Sequence, residues 1–451
     1  MVRKYGQSDF DERPLGGQRV ATFFPMAKPP SATPPAANAF RDVPFMGVIF
    51  VVHEASKRGF RNGHPDWCNL GQGQPEVGTM SGAPARLATV EIKPEDHAYG
   101  PLGGTDEFRG AVAAHYNRLY RQGKKSQFTA ANVCGAQGGR LTLTRIMAAL
   151  GHVNVGYMLP DYTAYEDMFE MHLARLHPVP IRMSAQDGFK VTAKTLLEAV
   201  DRHGLSALVI SNPCNPTGGV IQGADLKRLV AGARARGTTI ILDEFYSHFI
   251  YTPEGKPAKG PVSAAPYIGD VEKDPVLLID GLTKNFRYPG WRVGWVVGPS
   301  AMLETVARTA SAIDGGPSRI AQRAAIAALK PKRADQETTA LRREFAKKRN
   351  LMLRRLRALG VTFPGKCEST FYLWGSLEKL PAPLNDAMSF FWRSLDHKVL
   401  TVPGQFFDVN PGKRRKGPSP YTQWMRFSFG PPMANVKLGL DRLEAMVRAA
   451  R

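Results

Sequence analysis

Val276-Leu-Leu-Ile-Asp280 runs directly into Gly-Leu-Thr-Lys284, and then into Asn-Phe-Arg-Tyr-Pro-Gly-Trp-Arg292-Val-Gly294. The first five residues are too short a run for a helix and rich in branched side chains, which predicts a buried strand. Lys284 falls just past the carboxyl end of that strand, where open α/β sheets collect their chemistry. An amine held there, partly desolvated and near other cations, gives up its proton more readily and can attack a carbonyl. Arg292 follows eight positions later, after the Pro289-Gly290 turn, and offers a planar fork to an anion. A lone lysine is more often a solvated surface residue, so the reading depends on what surrounds it.

Upstream, from about residue 131, short apolar runs alternate with amphipathic stretches. Val155–Leu159, Ala207–Ile210 and Thr239–Leu242 predict strands, while 140–150, 196–202 and 226–236 predict the helices between them. That alternation is the pattern of an α/β fold, a mostly parallel sheet between helices. After residue 300 basic amphipathic helices dominate, with strand-like Phe371–Trp374 and Met425–Phe429 between them, which predicts a smaller α+β domain. Residues 1–40 carry a Pro/Ala-rich stretch from Lys28 to Asn38 and little periodicity, and read as an extended arm.

The chain has 451 residues, 43% of them hydrophobic, enough for a large core. Its four cysteines, Cys68, Cys134, Cys214 and Cys367, are scattered without a CxxC pair or clustered histidines. This argues against a disulfide framework or zinc site, and fits a reducing compartment such as the cytoplasm. The N-terminus shows no secretion signal and no apolar run reaches membrane-spanning length. The formal charge is +21, with Lys and Arg crowded into 331–358 and Lys413–Lys416. Leu341, Phe345, Leu351, Leu353 and Leu356 recur near helical spacing among the first set, so a solvated helix face explains it better than a nucleic-acid footprint.

Three further segments raise the standing of Lys284. Ser211-Asn-Pro-Cys-Asn-Pro-Thr-Gly-Gly219 follows a predicted strand and leaves the Asn215 amide projecting from a turn. Asp243-Glu-Phe-Tyr246 ends the next strand; Asp243 there serves either as a helix N-cap or as a buried counter-charge. Cys134-Gly-Ala-Gln-Gly-Gly139 precedes a helix, where open backbone N–H groups favour an anion.

In this order, Asn215, Asp243, Tyr246, Lys284 and Arg292 resemble the fold-type I, class I/II aminotransferases that use pyridoxal 5′-phosphate (PLP). The resemblance runs from about Asn69 to the C-terminus. It implies a large PLP-binding domain over 85–320 with a mostly parallel seven-stranded sheet, and a smaller α+β domain from 41–84 and 321–451. It also implies a Schiff base on Lys284, with Asp243 holding the pyridine nitrogen protonated and Tyr246 and Asn215 on the ring oxygen. By the same resemblance, Ala136, Gln137, Thr283 and Arg292 hold the phosphate, Tyr162 stacks on the ring, and Gly73 and Arg426 meet the substrate carboxylate. Tyr99 would reach the phosphate of a partner subunit, which implies a homodimer with shared sites. Amino acids and 2-oxo acids are the implied substrates. The same scaffold also runs β- and γ-lyase, cyclising synthase and oxidase reactions, which these residues separate poorly. A DNA-binding regulator with such a domain would need a winged-helix module, and the Pro-rich N-terminal stretch fits one badly.

Two departures stand out. Gly281 occupies a position where many relatives carry a phosphate-binding serine, so the cup is expected one donor short, with Thr283 as the candidate replacement. Residues 410–420, with Lys413–Lys416, lengthen the loop before Arg426 and read either as a rim over the substrate or as a solvated insertion.

Overall fold

Seven strands form the central sheet of the computed structural model, which describes Val43, Phe45 and residues 47–451. The arm expected over 1–40 lies outside the described residues. In chain order the strands are β1 (Val133–Ala136), β2 (Val153–Leu159), β3 (Leu176–Arg182), β4 (Ala207–Ser211), β5 (Thr239–Asp243), β6 (Val276–Gly281) and β7 (Gly294–Val297). Their spatial order is β1-β7-β6-β5-β4-β2-β3, and only β7 runs against its neighbours. The sheet is therefore mostly parallel, as the sequence pattern implies. In β4, β5 and β6 every residue except Thr239 is buried, because helices cover both faces and no alternation is needed.

The helices are α1 (Gly47–Ser56), α2 (Asp106–Tyr120), α3 (Gly139–Ala149), α4 (Ala164–Glu170), α5 (Ala193–His203), α6 (Gly223–Arg236) and α7 (Ser300–Ile313). They continue as α8 (Arg319–Ala328), α9 (Pro331–Leu359), α10 (Ala387–Asp396) and α11 (Met433–Ala449). Local chemistry sets their limits. The Thr192 hydroxyl accepts from Thr195 N–H at 3.2 Å to start α5, and Gly204 ends it in the left-handed region at φ 56°. Along α9, Leu341, Phe345, Leu353 and Leu356 are buried and Leu351 half-buried, while Arg343, Lys347 and Arg354 are exposed. The basic stretch is thus one face of a core-packed helix.

A second sheet of three antiparallel strands, β8 (Tyr372–Ser376), β9 (Val402–Pro403) and β10 (Trp424–Ser428), has the order β9-β10-β8. In its register Arg426 faces Trp374 on one side and Val402 on the other. A two-residue parallel pairing of Cys68–Asn69 with Val399–Leu400 ties the N-terminal segment to this region. Residues from Phe45 onward form one compact unit. No helix among the described residues is long and apolar enough to cross a membrane.

The placement of the strand ends matters most. Ser211 pairs with Asp243, and Asp243 with Ile279, so the carboxyl ends of β4, β5 and β6 lie side by side. Asn215, Tyr246 and Lys284 follow within five residues of those ends.

Candidate active site

A cavity of about 740 Å³ opens at those strand ends. Asn215, Asp243, Tyr246, Thr283, Lys284 and Arg292 line it from the large sheet, and Tyr372 and Arg426 from the small one. Gly139, Arg140 and Leu143 of α3, Ala164 and Met168 of α4, and Val48, Ile49 and Val52 of α1 complete the walls.

Lys284 is partly buried, and its Nζ donates to the Gly73 carbonyl oxygen. Burial, reinforced by Arg292, Arg426 and Arg140, brings its pKa down to about 7, while Asp243 pulls the other way. An amine in that range is about half uncharged near neutrality, so a large fraction is available as a nucleophile. Asp243, at the end of β5, accepts from Tyr165 OH at 3.1 Å and Phe245 N–H at 3.3 Å. Burial still pushes its carboxyl up to about 6. It is therefore a charge-bearing group that two neutral donors satisfy incompletely, and a cation placed against it would be strongly held.

Arg426 is buried at one end of the cavity. Its Nη1 donates to Asn215 Oδ1 and its Nη2 to the Gly71 carbonyl, both at 2.9 Å. The guanidinium lies 4.1 Å from the Tyr372 ring centroid and 4.9 Å from that of Phe407. Because Asn215 Oδ1 is engaged by Arg426, its NH₂ is left as the group that can donate into the cavity. Tyr246 OH lies 3.0 Å from Tyr372 OH, and burial pushes the Tyr246 phenol well above its usual range.

The opposite end is built from backbone and open donors. Gly138, at φ 83°, is the N-cap of α3, so the free N–H groups begin at Gly139. A side chain at Gly138 would collide with the Arg292 guanidinium, its Cβ 2.4 Å from Nη2, so glycine lets the helix start and the arginine close on one point. Among the described residues Thr283 Oγ1 is buried without a partner, and it faces this cavity. At Gly281 a Cβ would sit 2.4 Å from the Val293 carbonyl oxygen. A serine cannot stand there in this backbone, which accounts for the glycine, while Thr283 presents a hydroxyl to the cavity.

Ten of the twelve site residues that the sequence singles out have a clear place. Gly73, Tyr162, Asn215, Asp243, Tyr246, Thr283, Lys284, Arg292 and Arg426 all line the cavity, and Tyr99 is 99% exposed on the surface of this chain. Ala136 and Gln137 do not line it: Ala136 is the last residue of β1, and Gln137 turns its amide to the Gly316 carbonyl at 3.1 Å.

Comparison with known proteins agrees with this geometry. The family model for aminotransferase class I and II matches residues 65–443. The chain belongs to this family. It is an aminotransferase. Among curated relatives it is 25% identical to an aspartate aminotransferase of Sulfurisphaera tokodaii, over 84% of this chain and 89% of that one. It is 27% identical to an LL-diaminopimelate aminotransferase of Moorella thermoacetica, over 82% and 90%. In fold it resembles the solved aspartate aminotransferase from Thermus thermophilus with maleate, at TM-score 0.70 and 23% identity, covering 88% of this chain and 96% of that one. An aminotransferase from Mycobacterium tuberculosis superposes at TM-score 0.72 and 23% identity, over 92% and 100%.

Several residues of the aminotransferase site escape sequence reasoning. Tyr165 stands three positions after Tyr162, one helical step, and that spacing could have paired them; their rings meet edge-on at 5.6 Å. Tyr372 and Arg140 carry no comparable signal. The basic loop is tied to α4 at its start, while Arg414, Lys416, Gly417 and Pro418 are exposed. Asn410 N–H donates to Glu166 Oε2 at 2.7 Å, Gly412 N–H to Glu170 Oε2 at 2.6 Å, and Lys413 pairs with Glu166. Glu166 and Glu170 share one face of α4, whereas Ala164, Asp167, Met168 and Met171 face the cavity. The start of the loop braces from behind the helix that walls the cavity.

Proposed function

We propose that this aminotransferase carries PLP on Lys284 and moves the amino group of an L-amino acid to a 2-oxo acid. The observation that carries the reading is the placement of an amine with a pKa near 7 between a buried carboxyl and a buried, pre-aimed arginine fork. When bound, PLP supplies the electron sink that makes an α-proton acidic. The residues present suit that group: Thr283 has an unpartnered hydroxyl, Gly139 and Arg292 offer donors for a phosphate, and Asp243 is a buried carboxyl that a pyridinium nitrogen would pair.

The division of labour follows from position. Once the substrate's amine has displaced it, Lys284 Nζ would take the Cα proton as general base and give it up as general acid on the coenzyme side rather than back to Cα. Arg426 holds the α-carboxylate in a bidentate grip. Tyr246 OH and the Asn215 amide donate toward the coenzyme ring oxygen, and Tyr162 covers the ring. Asp243 fixes the protonation of the ring nitrogen. We assign Ala136 and Gln137 a supporting part through the turn that feeds the helix start. Tyr99, which projects into solvent here, serves the phosphate of a second subunit, so the working unit is a homodimer with shared sites.

We divide the enzyme into a PLP domain over 85–320 and a small domain from 41–84 and 321–451. The strand pairing of Cys68–Asn69 with Val399–Leu400 supports joining the two small-domain pieces. Four buried free thiols support a cytoplasmic location. The test is transfer itself: with PLP, an amino acid and a 2-oxo acid, a new amino acid should appear in step with donor loss, and Lys284→Ala should abolish it. Turnover that survives in Lys284→Ala, or ammonia release in place of the new amino acid, refutes the reading.

A further inference from the structure

We propose that Tyr372 is a positioning residue, holding the Tyr246 hydroxyl and the Arg426 fork in register so that the two halves of the site act together. The inference rests on the aminotransferase reading above and assigns a role to a residue outside its machinery.

Tyr372 is the first residue of β8 and is buried to 1% exposure, yet it touches three parts of the site. Its OH lies 3.0 Å from Tyr246 OH. Its ring lies 4.1 Å beneath the Arg426 guanidinium. A Cβ on Gly73, whose carbonyl receives Lys284 Nζ, would lie 3.7 Å from the Tyr372 hydroxyl. A buried phenol must find a partner, and here the partner is the hydroxyl expected on the coenzyme ring. If Tyr372 donates to Tyr246, the Tyr246 proton is free to point into the cavity, and the two O–H groups polarise one another.

The backbone around Tyr372 is held at a cost. Thr370, a β-branched residue, sits at φ 64°, where such side chains are strained. Its hydroxyl accepts from Tyr372 N–H at 3.1 Å, its N–H donates to the Phe249 carbonyl at 2.9 Å, and its carbonyl accepts from Tyr251 OH at 2.9 Å. Phe371 packs against both rings, 4.6 Å from Tyr372 and 5.4 Å from Tyr246. Strain retained in a segment that aims one side chain at two site residues points to function more than to stability.

The test uses the full chain loaded with PLP and reads the pH midpoint of the bound coenzyme's visible absorbance. A donor to the coenzyme's ring oxygen favours loss of the proton on the adjoining lysine-linked nitrogen, so weakening that donor raises the midpoint. Tyr372→Phe should raise it by roughly half to one pH unit, the size of one hydrogen bond, and Tyr246→Phe by more. Acetate, a bare carboxylate read through the same spectrum, should bind Tyr372→Phe as it binds wild type. It should bind Tyr372→Leu roughly threefold to thirtyfold more weakly, because the ring under Arg426 is gone. An unmoved midpoint in Tyr372→Phe overturns the link to Tyr246, and equal acetate affinity in the Phe and Leu variants overturns the link to Arg426. An unmoved midpoint in Tyr246→Phe removes Tyr246 from the coenzyme and sinks the inference. A wild-type protein that takes up no visible absorbance refutes the aminotransferase reading, and this inference with it.

Discussion

The two arginines at either end of the cavity are held in opposite ways. Arg426 is buried, bonded to Asn215 and Gly71, and enclosed by the rings of Tyr372 and Phe407. Arg292 is exposed on this chain, sits at φ 52°, and donates to the nearby Pro289 carbonyl at 3.2 Å. Beside it Thr283 has a hydroxyl without a partner and α3 has open N–H groups. At the Arg426 end both terminal nitrogens are already engaged within the chain and only Nε is buried without a partner. The other end holds its donors more open, in the Thr283 hydroxyl, the exposed Arg292 and the first N–H groups of α3. This contrast fits a site in which one ligand comes and goes with each turnover and the other stays.

Substitutions at the two ends should therefore separate. Arg426→Ala should lower kcat/KM by about a hundredfold to a few thousandfold, the loss expected on truncating one partner of a buried charge pair. PLP affinity should stay within about threefold on the same scale. Steady-state kinetics and a coenzyme titration check both halves. Arg292→Ala should do the reverse, weakening PLP binding by roughly tenfold to a hundredfold, as for one charge-assisted hydrogen bond. At saturating coenzyme its KM for the amino acid should hold. Similar losses in both parameters for both variants would break the contrast.

Between the two ends lies Lys284, and the pH dependence of its reactivity sharpens the account. In the coenzyme-free protein, modification of Lys284 by an acylating reagent should titrate with a midpoint near pH 7. Below it Nζ is protonated and inert, and the rate should rise about tenfold per pH unit up to it. Asp243→Asn removes the one nearby carboxylate that favours the protonated form, so the midpoint should fall further. A midpoint in the ordinary lysine range would contradict the desolvated, cation-ringed setting. The smallest effect is expected at the bracing loop. Lys413→Ala should cost roughly 1 kcal/mol in urea unfolding with kcat unchanged, because the lysine side chain is mostly exposed and its buried partner Glu166 keeps the Asn410 N–H.

Much of the sheet, and the gathering of several candidate residues at one cavity, was legible because it is local. Strands β4, β5 and β6 are short, branched and bounded by turn residues, and Asn215, Asp243 and Lys284 fall at their ends for the same reason. What escaped depends on distance along the chain. Tyr372 meets Tyr246 across 126 positions, and Tyr165 meets Asp243 across 78. No periodicity within either segment encodes those meetings. The α1 wall of Val48, Ile49 and Val52 is likewise set by tertiary packing. Ala136 closes strand β1 and Gly138 takes the cap of α3, so neither Ala136 nor Gln137 lines the cavity, a placement that the motif alone does not reveal. The glycine at 281 looked like a missing donor in sequence; in space it is a contact with the Val293 carbonyl that excludes any side chain.

The central claim concerns a single nitrogen. Reducing the PLP-loaded protein with borohydride and mapping the labelled peptide tests it most directly. The account predicts one stable coenzyme label, on Lys284, absent from Lys284→Ala; a label on another lysine, or none in the wild type, would contradict it.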